Sequence, residues 1–128
     1  MDQLRSYKLV YIASPYSVYP GGLERAFITV TQLAADLLRA NVRLFCPITM
    51  AHPIAMHGRI DPVDHAIWLP AMAPFMDACD AMLIAEMRGW DESYGVREEI
   101  KVFRAAGKPL WRIAPITLRI TPHIEEIV

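Results

Sequence analysis

The sequence has few of the features that mark secreted, membrane and nucleic-acid-binding proteins. It contains only two cysteines, both in apolar stretches, which predicts reduced thiols in a core. The net charge is −1, so no positive surface for DNA or RNA is indicated. The longest stretch made only of apolar residues and proline, residues 67–76, is too short to span a bilayer. The first eight residues lack a signal-peptide pattern. We therefore expect a cytoplasmic protein with no nucleic-acid or membrane partner.

Motifs for common cofactors and metals are also missing. The sequence has no Walker loop and no Gly-x-Gly-x-x-Gly, so triphosphate and dinucleotide sites have no motif to support them. One polar cluster invites a metal interpretation; its members are His52, His57, Asp61, Asp64 and His65. However, Pro53 and Pro62 interrupt the helix that would align these residues, and no zinc-type spacing is present. We predict no metal and no cofactor.

What the sequence does contain is an alternation of short apolar runs and helical patterns. The apolar runs lie at residues 8–13, 42–46, 81–85 and 109–113. Clear helical patterns occupy residues 22–40 and 93–106. Continuously apolar strands that alternate with helices predict an α/β protein, in which a mostly parallel sheet is covered on both faces. We expect one domain, residues 1–128, with a flavodoxin-like or Rossmann-like three-layer sandwich and a sheet of four to five strands.

Two stretches are less regular. Prolines are frequent between residues 48 and 80, and we expect a loop or short helix at 49–56 and an irregular helical stretch at 64–79. The reason is that proline beyond the first turn breaks or kinks a helix. The tail, residues 114–128, is expected to add a short strand at 117–120 and a final turn.

Ligands of parallel sheets bind at the carboxyl ends of the strands, where the strand order reverses. The segments that follow three of the strands are 14–17, 47–52 and 86–93, and we expect them to line one crevice. Residues 14–17, with glycines 21 and 22, offer hydroxyls and backbone N–H groups near a helix start. This loop either binds a phosphate or sugar oxygen or only caps the helix, and the sequence leaves both open.

Glu99 is the most informative single residue. At about 100° per residue it lies on the apolar face of the helix at 93–106. Because a buried, unpaired carboxylate is costly, we expect it to face a polar pocket, the Tyr11 hydroxyl or a ligand. Glu98 lies at the edge of the polar face, where Lys101 can pair with it at i+3.

Several segments resemble a known enzyme family. Residues 11–15 (Tyr-Ile-Ala-Ser-Pro) resemble the first strand and loop of the nucleoside 2-deoxyribosyltransferases, which read Tyr-x-Ala-Gly-Pro. Residues 93–99 (Ser-Tyr-Gly-Val-Arg-Glu-Glu) resemble the catalytic segment of those enzymes and of the related nucleoside 5′-monophosphate N-glycosidases. The chain also resembles a small uncharacterised bacterial family of that superfamily, at residues 13–17, 51–54 and 93–99.

The resemblance implies roles for individual residues. Glu99 matches the glutamate that attacks the anomeric carbon, and Tyr11 matches the tyrosine that holds it. The family usually supplies another acid from the helix before the third strand, where this chain has Met72 or Pro74, and Asp77 is the nearest substitute. The substrate-binding residues implied are Ser14, Pro15, Tyr16, His52, Trp90, Ser93 and Gly95. His52 and Trp90 are expected to contact the base.

Ser93 bears on the kind of substrate. In the deoxyribosyltransferases this position is typically an aspartate that serves a free 5′-hydroxyl, whereas in the monophosphate N-glycosidases it is a serine near the 5′-phosphate. An aspartate would repel a phosphate, but a serine at a helix N-terminus accommodates one. The resemblance therefore favours a nucleoside 5′-monophosphate and hydrolysis. Alternatively, Ser93 and Asp91 only cap the helix.

These observations predict cleavage, by hydrolysis or transfer, of the N-glycosidic bond of a nucleoside 5′-monophosphate or nucleoside. The alternative is a non-catalytic module on the same fold that senses or binds nucleotides. A phosphate-ester hydrolase is a weaker third possibility, because its metal cluster is missing. The 54% apolar content and seven methionines favour a homodimer or homotetramer, although methionine also fills gaps in cores.

Overall fold

Five strands form one sheet in the computed structural model, which describes residues 1–124. In chain order they are β1 (Val10–Ala13), β2 (Leu44–Phe45), β3 (Ala81–Ala85), β4 (Leu110–Ile113) and β5 (Ile120–Pro122). Across the sheet the order is β2-β1-β3-β4-β5. The first four strands are parallel, and β5 runs antiparallel to β4. The fold is therefore α/β with a mostly parallel sheet, which confirms the class predicted from the sequence.

Helices cover both faces of the sheet. They are α1 (Asp2–Arg5), α2 (Leu23–Arg39), α3 (Pro47–Gly58), α4 (His65–Ala78) and α5 (Tyr94–Ala105), and a 3-10 turn at Trp90–Glu92 precedes α5. Side chains alternate along β1: Val10 and Ile12 pack with α1 and α2, whereas Tyr11 and Ala13 pack with α4 and α5. Because β1 and β3 are buried on both faces, their sequences are continuously apolar. The result is a three-layer, flavodoxin-like or Rossmann-like domain.

The proline-rich region is more regular than the sequence predicts. Of the two predictions for residues 49–56, the helix is confirmed, but α3 is longer than predicted, beginning at Pro47 and continuing through Pro53 to Gly58. Proline suits the first turn of a helix, since the N–H that it lacks would have no partner there. Instead of an irregular stretch, α4 continues through Pro70 and Pro74. Both of these prolines lie on the exposed side of α4, and the apolar packing of the opposite side stabilises the helix despite the lost hydrogen bonds.

Smaller differences occur at the edges of the sheet. β2 is shorter than the predicted 42–46, because the Val42 N–H donates to the Leu37 carbonyl in the last turn of α2 and because α3 begins at residue 47. The strand predicted at 117–120 is shifted to β5, because the chain first turns at Leu118, which has a φ of 58° and donates its N–H to the Ala114 oxygen at 2.8 Å. The sequence pattern does not reveal α1 or the 3-10 turn, since both are too short to show a helical period. The predicted final turn lies outside the described residues.

Both cysteines are free and buried. Burial raises the pKa of Cys46 to about 11 and that of Cys79 to about 11, so neither is a reactive thiolate at neutral pH. Among residues 1–124, no group of three or more His, Cys, Asp or Glu side chains is placed to hold a metal ion. No helix in that part of the chain is long and apolar enough to cross a membrane.

Candidate active site

A cleft opens at the carboxyl ends of β1 and β3, where the strand order reverses. From β1 the chain continues to β2 on one side and later to β3 and β4 on the other, which is the arrangement in which open α/β sheets bind ligands. The cleft holds about 750 Å³ of empty space, including its open mouth. Its walls come from the loop after β1, the start of α3, the segment before α4, α4 itself and the start of α5.

Glu99 lies on the wall of this cleft and contacts Tyr11. The Tyr11 hydroxyl donates a hydrogen bond to Oε2 of Glu99 at 2.6 Å. Glu99 is buried and lines the cleft, so the polar pocket and the tyrosine partner expected from the sequence are both present. Glu98 instead forms an ion pair with Lys101, with Nζ 2.8 Å from Oε2. The two neighbouring glutamates therefore separate as predicted, one in the cleft and one at the surface.

The protonation of the Glu99–Tyr11 pair follows from its burial. Burial raises the pKa of Glu99 to about 7, while the hydrogen bond from Tyr11 acts in the opposite direction. Burial and the nearby carboxylate raise the pKa of Tyr11 far above its usual range. Tyr11 is therefore a permanent donor, and Glu99 exists in both protonation states near neutral pH. A carboxyl with a raised pKa in a cleft is typical of functional sites.

One wall of the cleft is polar and uncharged. Ser93 lies at the N-terminus of α5 and its Oγ accepts a hydrogen bond from the Val96 N–H at 3.3 Å, so the predicted cap is present. Gly95 also lines the cleft, and an added Cβ there would meet only the Ser93 hydroxyl, at 4.0 Å. Ser14 faces the same space, is 7% exposed, and its hydroxyl has no hydrogen-bond partner in the described structure. These groups suit the oxygen atoms of a sugar or a phosphate.

A second wall of the cleft is mainly apolar, and the prolines in its sequence made the helix that forms it hard to predict. The first two turns of α4 present a stripe at i, i+3, i+4 and i+7 whose members are His65, Trp68, Leu69 and Met72. Trp68 is fixed in place, because its Nε1 donates a hydrogen bond to the backbone carbonyl oxygen of Asp61 at 2.8 Å. Such a wall suits a flat heterocycle or another apolar group. The spacing of this stripe is the sequence signal that could have revealed it.

A chain of three side chains leads from the cleft to the surface. Tyr16 lines the cleft, and its hydroxyl lies 2.5 Å from Nδ1 of His52. Nε2 of His52 lies 2.9 Å from Oε1 of Glu24, whose side chain is 71% exposed. The His52 ring is buried and stacks on Phe27, with the centroids 4.5 Å apart. His52 therefore contacts Tyr16 and is not among the residues that line the cleft, contrary to the expectation that it contacts the base.

Three further expected site residues are not brought to the cleft. Asp77 lies in the last turn of α4, beyond the cleft-lining turns, where it is exposed beside a separate depression that Lys108 also borders. Trp90 packs elsewhere, with its ring 5.6 Å from the Arg112 guanidinium. Pro15 is buried between two cleft residues but does not line the cleft itself. Among the described lining residues, Glu99 is thus the only acid.

Comparison with known proteins identifies a family. No curated protein matches the chain. Residues 8–114 match the model of a family described as a domain of unknown function (DUF1937). The matched region contains the four parallel strands and every described residue that lines the cleft. The chain therefore belongs to the DUF1937 family.

Proposed function

We propose that this protein cleaves the N-glycosidic bond of a nucleoside 5′-monophosphate or nucleoside, by hydrolysis or transfer, with Glu99 as the nucleophile. The observation that carries the proposal is a buried carboxylate, held by a tyrosine, on the wall of a cleft at the sheet's switch point. The resemblance of residues 93–99 to the N-glycosidase and deoxyribosyltransferase segments supports the same chemistry.

Cleavage of an N-glycosidic bond is assisted by a carboxylate placed beside the sugar. Breaking an N-glycosidic bond develops positive charge on the anomeric carbon, and a carboxylate on the opposite face stabilises that charge or forms a covalent bond. Tyr11 donates to Oε2 and so orients the second carboxylate oxygen. In the first step Glu99 bonds to the anomeric carbon, while the electron pair of the broken bond leaves with the base. In the second step water or another base displaces Glu99.

The two walls of the cleft support a nucleotide as the substrate. The polar wall, with Ser14, Ser93 and the α5 N-terminus, suits the sugar and one 5′-phosphate, because a helix N-terminus attracts negative charge. No Lys or Arg occurs among the described residues that line the cleft. The larger charge of a di- or triphosphate would therefore be poorly compensated. The apolar wall with Trp68 is where we place the base.

The first test is release of free base from a panel of ribo- and deoxyribonucleoside 5′-monophosphates and nucleosides, with and without an acceptor base, followed by chromatography. Wild-type protein should release base from at least one compound. Glu99→Gln should lower the rate by roughly 1,000-fold or more, because it keeps the shape but removes the nucleophile. Glu98→Gln, the neighbouring surface change, should retain the activity. Equal rates for wild type and Glu99→Gln would reject the proposal.

A second candidate is a nucleotide-binding module without catalysis. It is favoured by the absence of a second acid among the described lining residues, since Asp77 lies outside the cleft. The two candidates differ in one observation. A binding module would show tight nucleotide binding by calorimetry but no base release during long incubation.

We further propose that the protein is a cytoplasmic homodimer or homotetramer. Exposed apolar side chains on α3 and α4 support self-association; they are Ile54, Met56, Ile67 and Phe75. Two free buried thiols are compatible with the reducing cytoplasm.

A further inference from the structure

The cleft contains a candidate proton donor that is distinct from Glu99. A purine or pyrimidine is a poor leaving group unless it is protonated as it departs. The titratable side chains among the described lining residues are Tyr16, His65 and Glu99. Glu99 is assigned to the opposite task, attack on the sugar. This leaves Tyr16 and His65 as the groups able to deliver a proton.

Tyr16 differs from His65 because its hydroxyl contacts a second side chain that can carry a proton, His52. Its hydroxyl is 2.5 Å from Nδ1 of the buried His52. On the other side of that ring, Nε2 is 2.9 Å from the Glu24 carboxylate, which reaches solvent. His65 has a ring contact with Tyr94, 4.6 Å between centroids, and it is exposed.

The direction of the hydrogens follows from the chemistry of the three groups. A carboxylate only accepts hydrogen bonds, so Nε2 of His52 carries a hydrogen that it donates to Glu24. When the ring is neutral, Nδ1 accepts the Tyr16 proton. When the ring is protonated, Nδ1 donates to the Tyr16 oxygen, and the Tyr16 hydroxyl is then free to donate into the cleft.

We propose, building on the glycosidic activity proposed above, that Tyr16 is the general acid that protonates the leaving base and that His52 resupplies its proton. As the bond between the anomeric carbon and the base breaks, its electron pair goes to the base nitrogen, which takes the Tyr16 hydroxyl proton. The Tyr16 oxygen takes the proton on Nδ1 of His52, and Glu99 bonds to the anomeric carbon. When water displaces Glu99, the water proton returns to Tyr16 and the Tyr16 proton returns to His52.

Two further observations support this relay, in which a proton passes from His52 to Tyr16 and from Tyr16 to the base. Burial and the charge of Glu24 raise the pKa of Tyr16 to about 12, so the hydroxyl is protonated at neutral pH and its donation requires a replacement proton. The ring of His52 is held by stacking on Phe27, which keeps both of its nitrogens aligned. Glu24 and His52 are thus positioning residues, and Tyr16 is the group that touches the substrate.

The test compares two leaving groups in wild type and in variants of the relay. One substrate is the nucleotide that wild type cleaves fastest, and the other is p-nitrophenyl ribofuranoside 5-phosphate, whose phenolate leaves without a proton. Tyr16→Phe and His52→Gln should lower base release by roughly 100-fold or more but lower nitrophenol release only a few-fold. Glu24→Gln, a change at an exposed position, should give a smaller loss with the same selectivity.

Two variants outside the relay serve as matched controls. Tyr19→Phe in the same loop and His57→Gln in the same helix should leave both rates unchanged, and nitrophenol release reports that each relay variant is folded. Equal losses on both substrates, or no loss, would overturn the relay. A selective loss in His65→Gln with Tyr16→Phe unaffected would also overturn it. If wild type releases neither product, the proposed glycosidic activity itself fails, and this is seen before any variant is made.

Discussion

Glu99 is a residue whose charge opposes the stability of the fold. Its pKa is raised from 4.5 to about 7 by burial. When folding raises the pKa of a group, the folded protein is most stable at pH values below the pKa that the group has in the unfolded chain. That stability is lost as the pH rises through the pKa that the group has in the folded protein. For Glu99 the loss therefore occurs between about pH 4.5 and pH 7 and amounts to about 3 kcal/mol. Residues kept despite such a cost are typical of functional sites.

Replacing Glu99 by Gln should make the protein more stable at alkaline pH. Gln keeps the shape and can accept the Tyr11 hydrogen bond but carries no charge. We expect the free energy of unfolding at pH 8 to rise by up to about 3 kcal/mol relative to wild type, with little difference at pH 4.5. Urea denaturation at the two pH values measures this. Glu98→Gln is the control and should lower stability by less than about 1 kcal/mol at either pH. A Glu99→Gln variant that is less stable than wild type at pH 8 would contradict this account.

At the scale of secondary-structure elements, α5 carries both ends of the proposed site. Ser93 caps the helix and Glu99 follows six residues later, about 9 Å along the axis at 1.5 Å per residue. The helix N-terminus supplies N–H groups and a positive dipole end for a phosphate, and the next turns place the carboxylate. One rigid element thus fixes the spacing between the 5′ group and the anomeric carbon.

The charge at the start of α5 should decide between phosphorylated and free substrates. Ser93→Asp keeps a capping side chain, because aspartate is a good N-cap, but it places a negative charge at the polar wall. We expect kcat/KM for a nucleoside 5′-monophosphate to fall at least about 10-fold relative to that for the matching nucleoside. Ser93→Asn caps the helix without the charge and should largely keep the original ratio. An unchanged ratio in Ser93→Asp would place the phosphate elsewhere.

At the scale of the whole molecule, the sheet and the contact between Tyr11 and Glu99 could be predicted from sequence patterns, whereas the shape of the cleft could not. β1 and β3 are continuously apolar and α5 has an unbroken helical period, so their positions and the contact of Tyr11 with Glu99 were predictable. The wall formed by α4 was not, because Pro70 and Pro74 obscure the helix that tertiary packing completes. His52 was assigned to the base, but its partners Glu24 and Phe27 lie 28 and 25 positions away in the sequence, and only the fold brings them together.

The most direct test of the central claim is to trap the glycosyl enzyme. In a 2-fluoro-arabinosyl nucleoside 5′-monophosphate, fluorine destabilises the positive charge that develops on the sugar in both steps, and the glycosyl enzyme accumulates once its hydrolysis is slower than its formation. Mass spectrometry of the digested protein should then find the fluorinated sugar phosphate on the peptide that contains Glu99, and no adduct in Glu99→Gln. Release of base with an unmodified Glu99 peptide, or an adduct on another residue, would contradict the account.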